Sequence, residues 1–130
     1  MRKICRIAVF ATCAVLTGCG GTALNGLGAF IDAGANGDTF SPQTQMVAVG
    51  EIVHWTNKDT DNHTITVDTV AGGPDSSTAF PAGLATGDEY AWQVPLVASG
   101  TKYYYHCQFH GTAGNGAGFG TGMTGLIQVK

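Results

Sequence analysis

Basic residues are scarce in this 130-residue sequence, which has six Lys and Arg against nine Asp and Glu. Three of the six lie within the first six positions, and the others are the widely spaced Lys58, Lys102 and Lys130. A surface that binds nucleic-acid phosphates needs clustered Lys and Arg, so the composition argues against a nucleic-acid partner. Without residues 1–18 the formal charge is −6, three Lys minus nine acidic residues. This balance favours a basic protein partner.

Helical periodicity and internal repeats are also lacking. Gly is abundant at 20 residues, and short apolar segments alternate with turn residues. The pattern predicts strands at 29–32, 46–49, 52–57, 63–68, 89–94, 102–107 and 125–129. Asn36-Gly37 predicts a turn, and residues 71–88 predict a loop. The sequence therefore predicts a single all-β domain with the architecture of a β-sandwich. Its expected core includes Trp55, Tyr103, Tyr105 and Met46.

The N-terminus lacks an apolar run long enough to span a bilayer, but its pattern is typical of an export signal. A basic start precedes apolar residues 7–16, and Leu16-Thr17-Gly18-Cys19 follows. This tetrapeptide resembles the bacterial lipobox, in which the Cys becomes the first residue of the mature chain and is acylated. The resemblance implies a lipoprotein signal peptide at 1–18 and a lipidated Cys19. An ordinary cleavable signal with an incidental Cys19 is the alternative.

Residues 19–27 are small and Gly-rich, which predicts a flexible tether between a lipidated Cys19 and a folded domain at 28–130. Several acyl chains on one Cys would hold the protein stably at a membrane. We therefore expect an exported protein, anchored by lipid to the cell envelope. Gly20 after the Cys favours the outer membrane, facing the periplasm, by resemblance to other lipoproteins.

A partner thiol for Cys107 is missing from the mature chain. Cys5 and Cys13 leave with the predicted signal peptide, and Cys19 is predicted to carry lipid. A lone Cys in an oxidising compartment is vulnerable to oxidation unless something occupies it, and a metal ion does so. A buried hydrophobic thiol is the alternative. A catalytic nucleophile is less consistent with the sequence, because no orienting Asn or Asp accompanies Cys107.

Imidazole and thioether groups accompany Cys107 in the C-terminal third of the chain. His110 follows it after two residues, and Met123 precedes the last predicted strand. Cys and Met are soft donors, and His binds most transition metals, so this set suits copper. One further His would complete a His2Cys site with a weak axial Met. His63 lies upstream, after a Trp55-Thr56-Asn57 segment.

Three motifs of the sequence resemble those of cupredoxins of the plastocyanin, amicyanin and pseudoazurin type. Residues 50–63 match a G-x-x-V-x-W-x-N-x-D segment that leads to a His, residues 103–110 match Y-x-Y-x-C-x-x-H, and residues 123–129 match M-x-G-x-I-x-V. The resemblance covers about residues 28–130 and implies a Greek-key β-sandwich with one copper ion at one end. It also implies that His63, Cys107 and His110 are equatorial ligands and that Met123 is the axial ligand.

The resemblance implies a type 1 (blue) copper protein that carries single electrons between redox partners at the cell envelope. Such chemistry requires no proton donor, second metal or substrate pocket, so we expect an electron carrier and not an enzyme. The expected protein is a monomer whose partner is a c-type cytochrome or a copper enzyme. A copper carrier or storage protein that uses the same ligands is the alternative.

The segment between His110 and Met123 departs from the family pattern. Twelve residues, 111–122, lie between them and six are Gly, whereas only a few residues usually separate the two ligands. We expect a long loop beside His110, which could shape docking or open a nitrosocyanin-like mononuclear copper site to solvent. His54 and His106 are not expected to be ligands, because strand alternation turns them away from the core. His106 is a candidate for a second electron route near the surface.

Overall fold

The computed structural model describes residues 28–130, which form two packed β-sheets. The strands are β1 (Ala29–Ala33), β2 (Phe40–Ser41), β3 (Thr44–Val47), β4 (Ile52–Asn57), β5 (Thr66–Val67), β6 (Glu89–Gln93), β7 (Lys102–Thr112) and β8 (Thr121–Val129). Within residues 28–130 there is no helix, and hence no helix that could cross a membrane. The predicted signal peptide, the lipidation site Cys19 and the tether at 19–27 lie outside the described residues.

Each sheet has four strands, in the orders β2-β1-β4-β6 and β3-β8-β7-β5. Both sheets are mixed, because β1 runs parallel to β4 and β3 runs parallel to β8, while the other pairs are antiparallel. The two sheets pack face to face, as in other β-sandwiches. The predicted all-β sandwich is therefore confirmed.

Alternating side chains from both sheets fill the space between them. Val53 and Trp55 of β4 are fully buried, and so are Tyr103, Tyr105 and Cys107 of β7. Trp55 meets Tyr105 edge-on across the sandwich, with ring centroids 5.5 Å apart and an interplanar angle of 85°. The predicted core positions of Trp55, Tyr103 and Tyr105 are confirmed.

Strand register shows which segments share an end of the sandwich. Ala29 pairs with Val53, so the chain enters β1 at the end where β4 begins. Trp92, which pairs with Val53, packs against Tyr103 near the start of β7, so β7 begins at the same end. We call this end the N-terminal pole. The opposite end, where β4 finishes and Cys107 lies, is the Cys107 pole.

Several predicted strand bounds are wrong. β3 covers 44–47 instead of 46–49, and Met46 is 51% exposed because Val47 takes the core position in this edge strand. β5 covers only 66–67 instead of 63–68. The backbone before it pairs instead with the loop at residues 71–88, through a His63–Leu84 bridge and hydrogen bonds between Ile65 and Ser76. β7 and β8 extend beyond the predicted 102–107 and 125–129.

Gly125 of β8 pairs with Tyr105 of β7, and its missing side chain makes room for the tyrosine ring. A Cβ atom at position 125 would overlap the Cζ and hydroxyl of Tyr105. The ring cannot move aside freely, because Trp55 and Phe40 pack against it. The Gly of the 123–129 motif thus has a packing function.

We predict that Gly125→Ala lowers the free energy of unfolding by about 1–3 kcal/mol, the usual cost of overpacking a core. Chemical denaturation monitored by tryptophan fluorescence measures this change. Gly118→Ala is the matched control, because a Cβ there meets no atom within 4 Å; it should change stability by less than about 0.5 kcal/mol. Equal effects of the two substitutions would contradict the packing function of Gly125.

Candidate metal centre

Asn57, the last residue of β4, organises the loop that leads to His63. Its side-chain amide donates to the carbonyl oxygens of Asp61 and Leu84, both at 2.8 Å, and its Oδ1 accepts from the Asp59 amide, also at 2.8 Å. His63 then pairs with Leu84 through two backbone hydrogen bonds of 3.1 and 2.7 Å. The Asn of the 50–63 motif therefore fixes the backbone that delivers the buried His63 ring to the Cys107 pole.

The segment 107–110 interrupts the pairing of β7 with β8. Regular register ends at His106 opposite Thr124 and resumes at Gly111 opposite Gly122. Four residues of β7 therefore lie opposite the single residue Met123. This bulge bends β7 and returns the His110 ring towards Cys107, whose Sγ lies 3.5 Å from His110 Nδ1.

Three donor atoms converge at this bulge, two from the bulge itself and one from the distant His63. Nδ1 of His63 lies 3.1 Å from Nδ1 of His110 and 3.8 Å from Sγ of Cys107, which completes a triangle with the 3.5 Å edge. A point equidistant from the three atoms is about 2.0 Å from each, close to typical metal–imidazole and metal–thiolate distances for a first-row metal. The donor set of two imidazoles and one thiolate fits a single copper ion.

Met123 is fully buried beside this triangle. It lies between Gly122, which pairs with Gly111, and Thr124, which pairs with His106, so it faces the 107–110 bulge. Alternation along β8 directs its side chain into the core, which Cys107 also faces. The strand register thus places Met123 opposite the segment that holds Cys107 and His110, in spite of the twelve intervening residues.

The expected long loop at 111–122 is instead the end of a β-hairpin. Gly111 and Thr112 pair with Thr121 and Gly122, and the two threonine hydroxyls are 2.7 Å apart. Only residues 113–120 form the connection. The prediction failed because alternating Gly residues carry no apolar pattern that marks a strand.

Residues 113–120, the hairpin tip, pack against the outer face of the second sheet. Phe119 contacts the Tyr104 ring edge-on at 5.3 Å. The Gly114 amide donates to Oδ2 of Asp68 at 2.7 Å, and Oδ1 of Asp68 lies 2.7 Å from Nδ1 of His106. The side chain of Asp68 is thereby almost completely buried. The tip is held by a carboxylate and an aromatic contact on this outer face.

Thr64, the residue after His63, contacts the thiol in a way that the sequence did not indicate. Its amide donates to Sγ of Cys107 at 3.4 Å, and its hydroxyl accepts from the Gln108 amide at 2.8 Å. The Cys107 sulfur and the backbone amide that follows it are thus both held by the residue next to His63. A hydrogen bond to a ligand sulfur stabilises the negative charge of the thiolate and tunes the metal.

Asp59 is a second residue that sequence reasoning missed. Its Oδ2 lies 3.3 Å from Nε2 of His63, the ring nitrogen that faces away from the donor triangle. The backbone amide of Thr60 lowers the pKa of Asp59, and the hydrogen bond with His63 lowers the same pKa further, so the carboxylate is an acceptor at neutral pH. A carboxylate behind a ligating His fixes its tautomer and raises its basicity.

Gly34 allows the Asp59–His63 contact to form. It has a φ of +78°, and a Cβ there would lie 2.7 Å from Nε2 of His63. A side chain at position 34 would displace the imidazole or the carboxylate. An i,i+4 Asp–His spacing, Asp59 to His63, was the available sequence signal for this pair.

The two other histidines lie apart from the triangle. His54 points outward on β4, stacks on Phe30 and lies 2.8 Å from Oε1 of Glu89. His106 faces the opposite side of β7 from Cys107, as predicted, but it is buried against Asp68 and only 9% exposed. His106 thus lies on the outer face of its sheet, but Asp68 and the hairpin that it anchors cover most of its ring.

Neither a protein-family model nor a curated protein matches the sequence. Solved structures do. A purple cupredoxin from Nitrosopumilus maritimus aligns with a TM-score of 0.51 and 24% identity over 78% of this chain and 99% of its own. A reduced Cu(I) form of an amicyanin mutant aligns with a TM-score of 0.53 and 17% identity over 79% of this chain and 82% of its own.

A Cu-containing nitrite reductase from Thermus scotoductus aligns with a TM-score of 0.54 and 20% identity over 80% of this chain. The alignment covers only 22% of the reductase, so this chain corresponds to a small part of that protein. At identities this low, the structural alignments establish the fold alone. Together with the mixed-sheet sandwich, they show that this chain has the cupredoxin fold.

Proposed function

We propose that this protein is a type 1 copper electron carrier, with His63, Cys107 and His110 as equatorial ligands and Met123 as the axial ligand. The observation that carries the proposal is the convergence of two Nδ1 atoms and one Sγ atom into a triangle of metal-binding size. Two of the similar structures are copper proteins by name, a nitrite reductase and an amicyanin mutant in its Cu(I) form. Bound copper would supply the redox chemistry by alternating between Cu(II) and Cu(I).

The chain's own residues keep the ligands in place during this change. His63 and Cys107 are fully buried and tied to each other through Thr64, while Asn57 holds the preceding loop. Donors that cannot move serve both oxidation states with little rearrangement, which electron transfer requires. The His110 side chain is 22% exposed and offers an edge for electron exchange with a partner.

Charge at the Cys107 pole favours a basic redox partner. Asp38 lies beside His110, with its Oδ1 3.8 Å from Nδ1 of that ring, and Asp59 lies beside His63. Asp61 belongs to the same loop as Asp59. Lys58 is the basic residue of the same loop. A positively charged protein, such as a c-type cytochrome, would be steered to this pole and docked close to His110. A copper enzyme with a basic docking surface is the other expected partner.

The location proposed for this carrier is the cell envelope. The sequence Leu16-Thr17-Gly18-Cys19 supports acylation of Cys19, with the protein held at the outer membrane and facing the periplasm. Fatty-acid labelling of cells that produce the protein tests this anchor. Incorporation should be lost in Cys19→Ala and retained in Cys13→Ala.

We predict that the protein with Cu(II) is intensely coloured and that Cys107→Ser abolishes the colour, because the intensity requires a thiolate bound to copper. Visible spectroscopy and bound-copper analysis measure this. Colourless wild-type protein with Cu(II) bound would overturn the type 1 assignment.

Reversible voltammetry then separates an electron carrier from a copper carrier or storage protein. The electron carrier keeps its copper through repeated cycles, whereas the copper carrier or storage protein releases it.

We predict that Asp59→Asn raises the reduction potential. A neutral amide makes His63 a weaker donor, which destabilises Cu(II) more than Cu(I). A tenfold loss of affinity confined to Cu(II) corresponds to about 59 mV. Asp61→Asn is the matched control, because it removes the same charge two residues away without touching the His63 ring; it should shift the potential much less. Equal shifts would show that only net charge matters.

We predict that Met123→Leu raises the potential while the protein stays folded, because Leu has a similar volume but offers no donor to Cu(II). Met46→Leu is the matched control and should change neither potential nor colour. Met46 is exposed on the edge strand β3, opposite Gln128 and five residues along β8 from Met123. Voltammetry and the visible spectrum of both variants provide the test. An unchanged potential in Met123→Leu would remove Met123 from the ligand set.

A further inference from the structure

The N-terminal pole has a different surface from the Cys107 pole. Leu96, in the connection between β6 and β7, is 92% exposed, and Ile52 at the start of β4 is 42% exposed. Two of the three lysines of residues 28–130, Lys102 and Lys130, flank this pole, because Lys102 begins β7 and Lys130 follows β8. Exposed apolar side chains beside Lys side chains suit the boundary between the acyl chains and the phosphate headgroups of a membrane.

The chain that leads to Cys19 leaves the domain at this same pole. Gly28 precedes β1, and Ala29 pairs with Val53 near the beginning of β4. Eight residues lie between Cys19 and Gly28, and the nine residue steps that join them can span at most about 32 Å. Five residue steps of β4, about 17 Å, lie between Ile52 and Asn57 at the ligand end. An anchor at Cys19 therefore acts on the end of the domain that is remote from the metal ligands.

We infer that the N-terminal pole rests on the phospholipid surface, so that the His110 edge faces away from the membrane. This inference rests on the proposed lipid anchor and specifies which side of the domain contacts the bilayer. Leu96 inserts between headgroups, and Lys102 and Lys130 contact lipid phosphates. The carboxylates Asp38, Asp59 and Asp61 of the Cys107 pole are repelled by the same phosphates, which favours this orientation over the inverted one.

The membrane is favoured over a protein occupant because the tether and the charge act together. The anchor keeps the pole within about 32 Å of the bilayer at all times, which gives a weak apolar and ionic contact a high effective concentration. A second copy of the chain or a soluble partner has no such advantage. The N-terminal pole has Lys102 and Lys130 against the single side-chain carboxylate of Glu51, whereas the Cys107 pole has three carboxylates against Lys58, so the N-terminal pole is the more complementary to phosphate.

Lysine footprinting of the full, acylated chain tests the inference. The protein is placed in phosphatidylcholine vesicles that contain one quarter phosphatidylglycerol, and also in detergent solution, and is treated with acetic anhydride before mass spectrometry. Lys102 and Lys130 should react several-fold more slowly on vesicles than in detergent. Lys58 is also exposed but lies at the Cys107 pole, and its rate should be unchanged. The same spectra report the acyl chains on the N-terminal peptide.

Variants at the two poles provide the controls. Leu96→Ser should remove most of the protection of Lys102 and Lys130. Phe109 is an exposed apolar residue at the Cys107 pole, and Phe109→Ser should leave the protection intact.

Equal labelling of all three lysines on an acylated chain overturns the docking and leaves the anchor standing. A chain without acyl groups overturns both. Protection of Lys102 and Lys130 that also appears in detergent and rises with protein concentration indicates a second copy on this pole and overturns the membrane contact. The copper spectrum of the wild-type protein tests the proposed function separately from these results.

Discussion

The edge-to-face contact between Trp55 and Tyr105 determines how far apart the two sheets lie, and the metal centre depends on that spacing. Trp55 belongs to β4, which leads through Asn57 to His63, and Tyr105 lies two residues before Cys107 in β7. The loop that carries His63 therefore starts in one sheet and ends beside Cys107 in the other, across a separation that the aromatic layer beneath them sets. Gly125 completes this layer by making room for the Tyr105 ring. Packing below the site thus controls donor geometry above it.

Local pattern was enough to predict the strands that carry large alternating side chains. β4 and the first half of β7 have Val, Trp and Tyr at every second position, and the spacing of Cys107 and His110 identified two of the converging donors. The pairing of β1 with β4 and of β3 with β8 could not be predicted, because parallel partners are distant in sequence and leave no local periodicity. The contacts of Asp59 and Thr64 were missed for a related reason: each depends on which side of a loop faces the imidazole or the sulfur.

Glycine limited the prediction in both directions. Gly111 and Gly122 are paired strand residues that carry no side chain to reveal alternation, so the sequence pattern predicts a loop where the hairpin ends. The apolar character of Met46 predicts a core position, but a four-residue edge strand can bury only part of its side chains, and Val47 occupies the inward position. Strand register alone determines that the folded chain starts at one end of the domain and that the ligands lie at the other. Ala29 opposite Val53 separates the start of the folded chain from the ligands by the length of a strand.

The paired ends of the glycine-rich hairpin make the position of Met123 independent of the length of the connection that precedes it. Because Gly111 and Thr112 are hydrogen-bonded to Gly122 and Thr121, the position of Met123 relative to His110 does not depend on the length or composition of residues 113–120. This tip contributes no donor to the triangle and has its own anchor in Asp68. It is therefore a segment that evolution or protein engineering can lengthen, shorten or exchange for a recognition sequence while the redox centre a few residues away keeps its geometry.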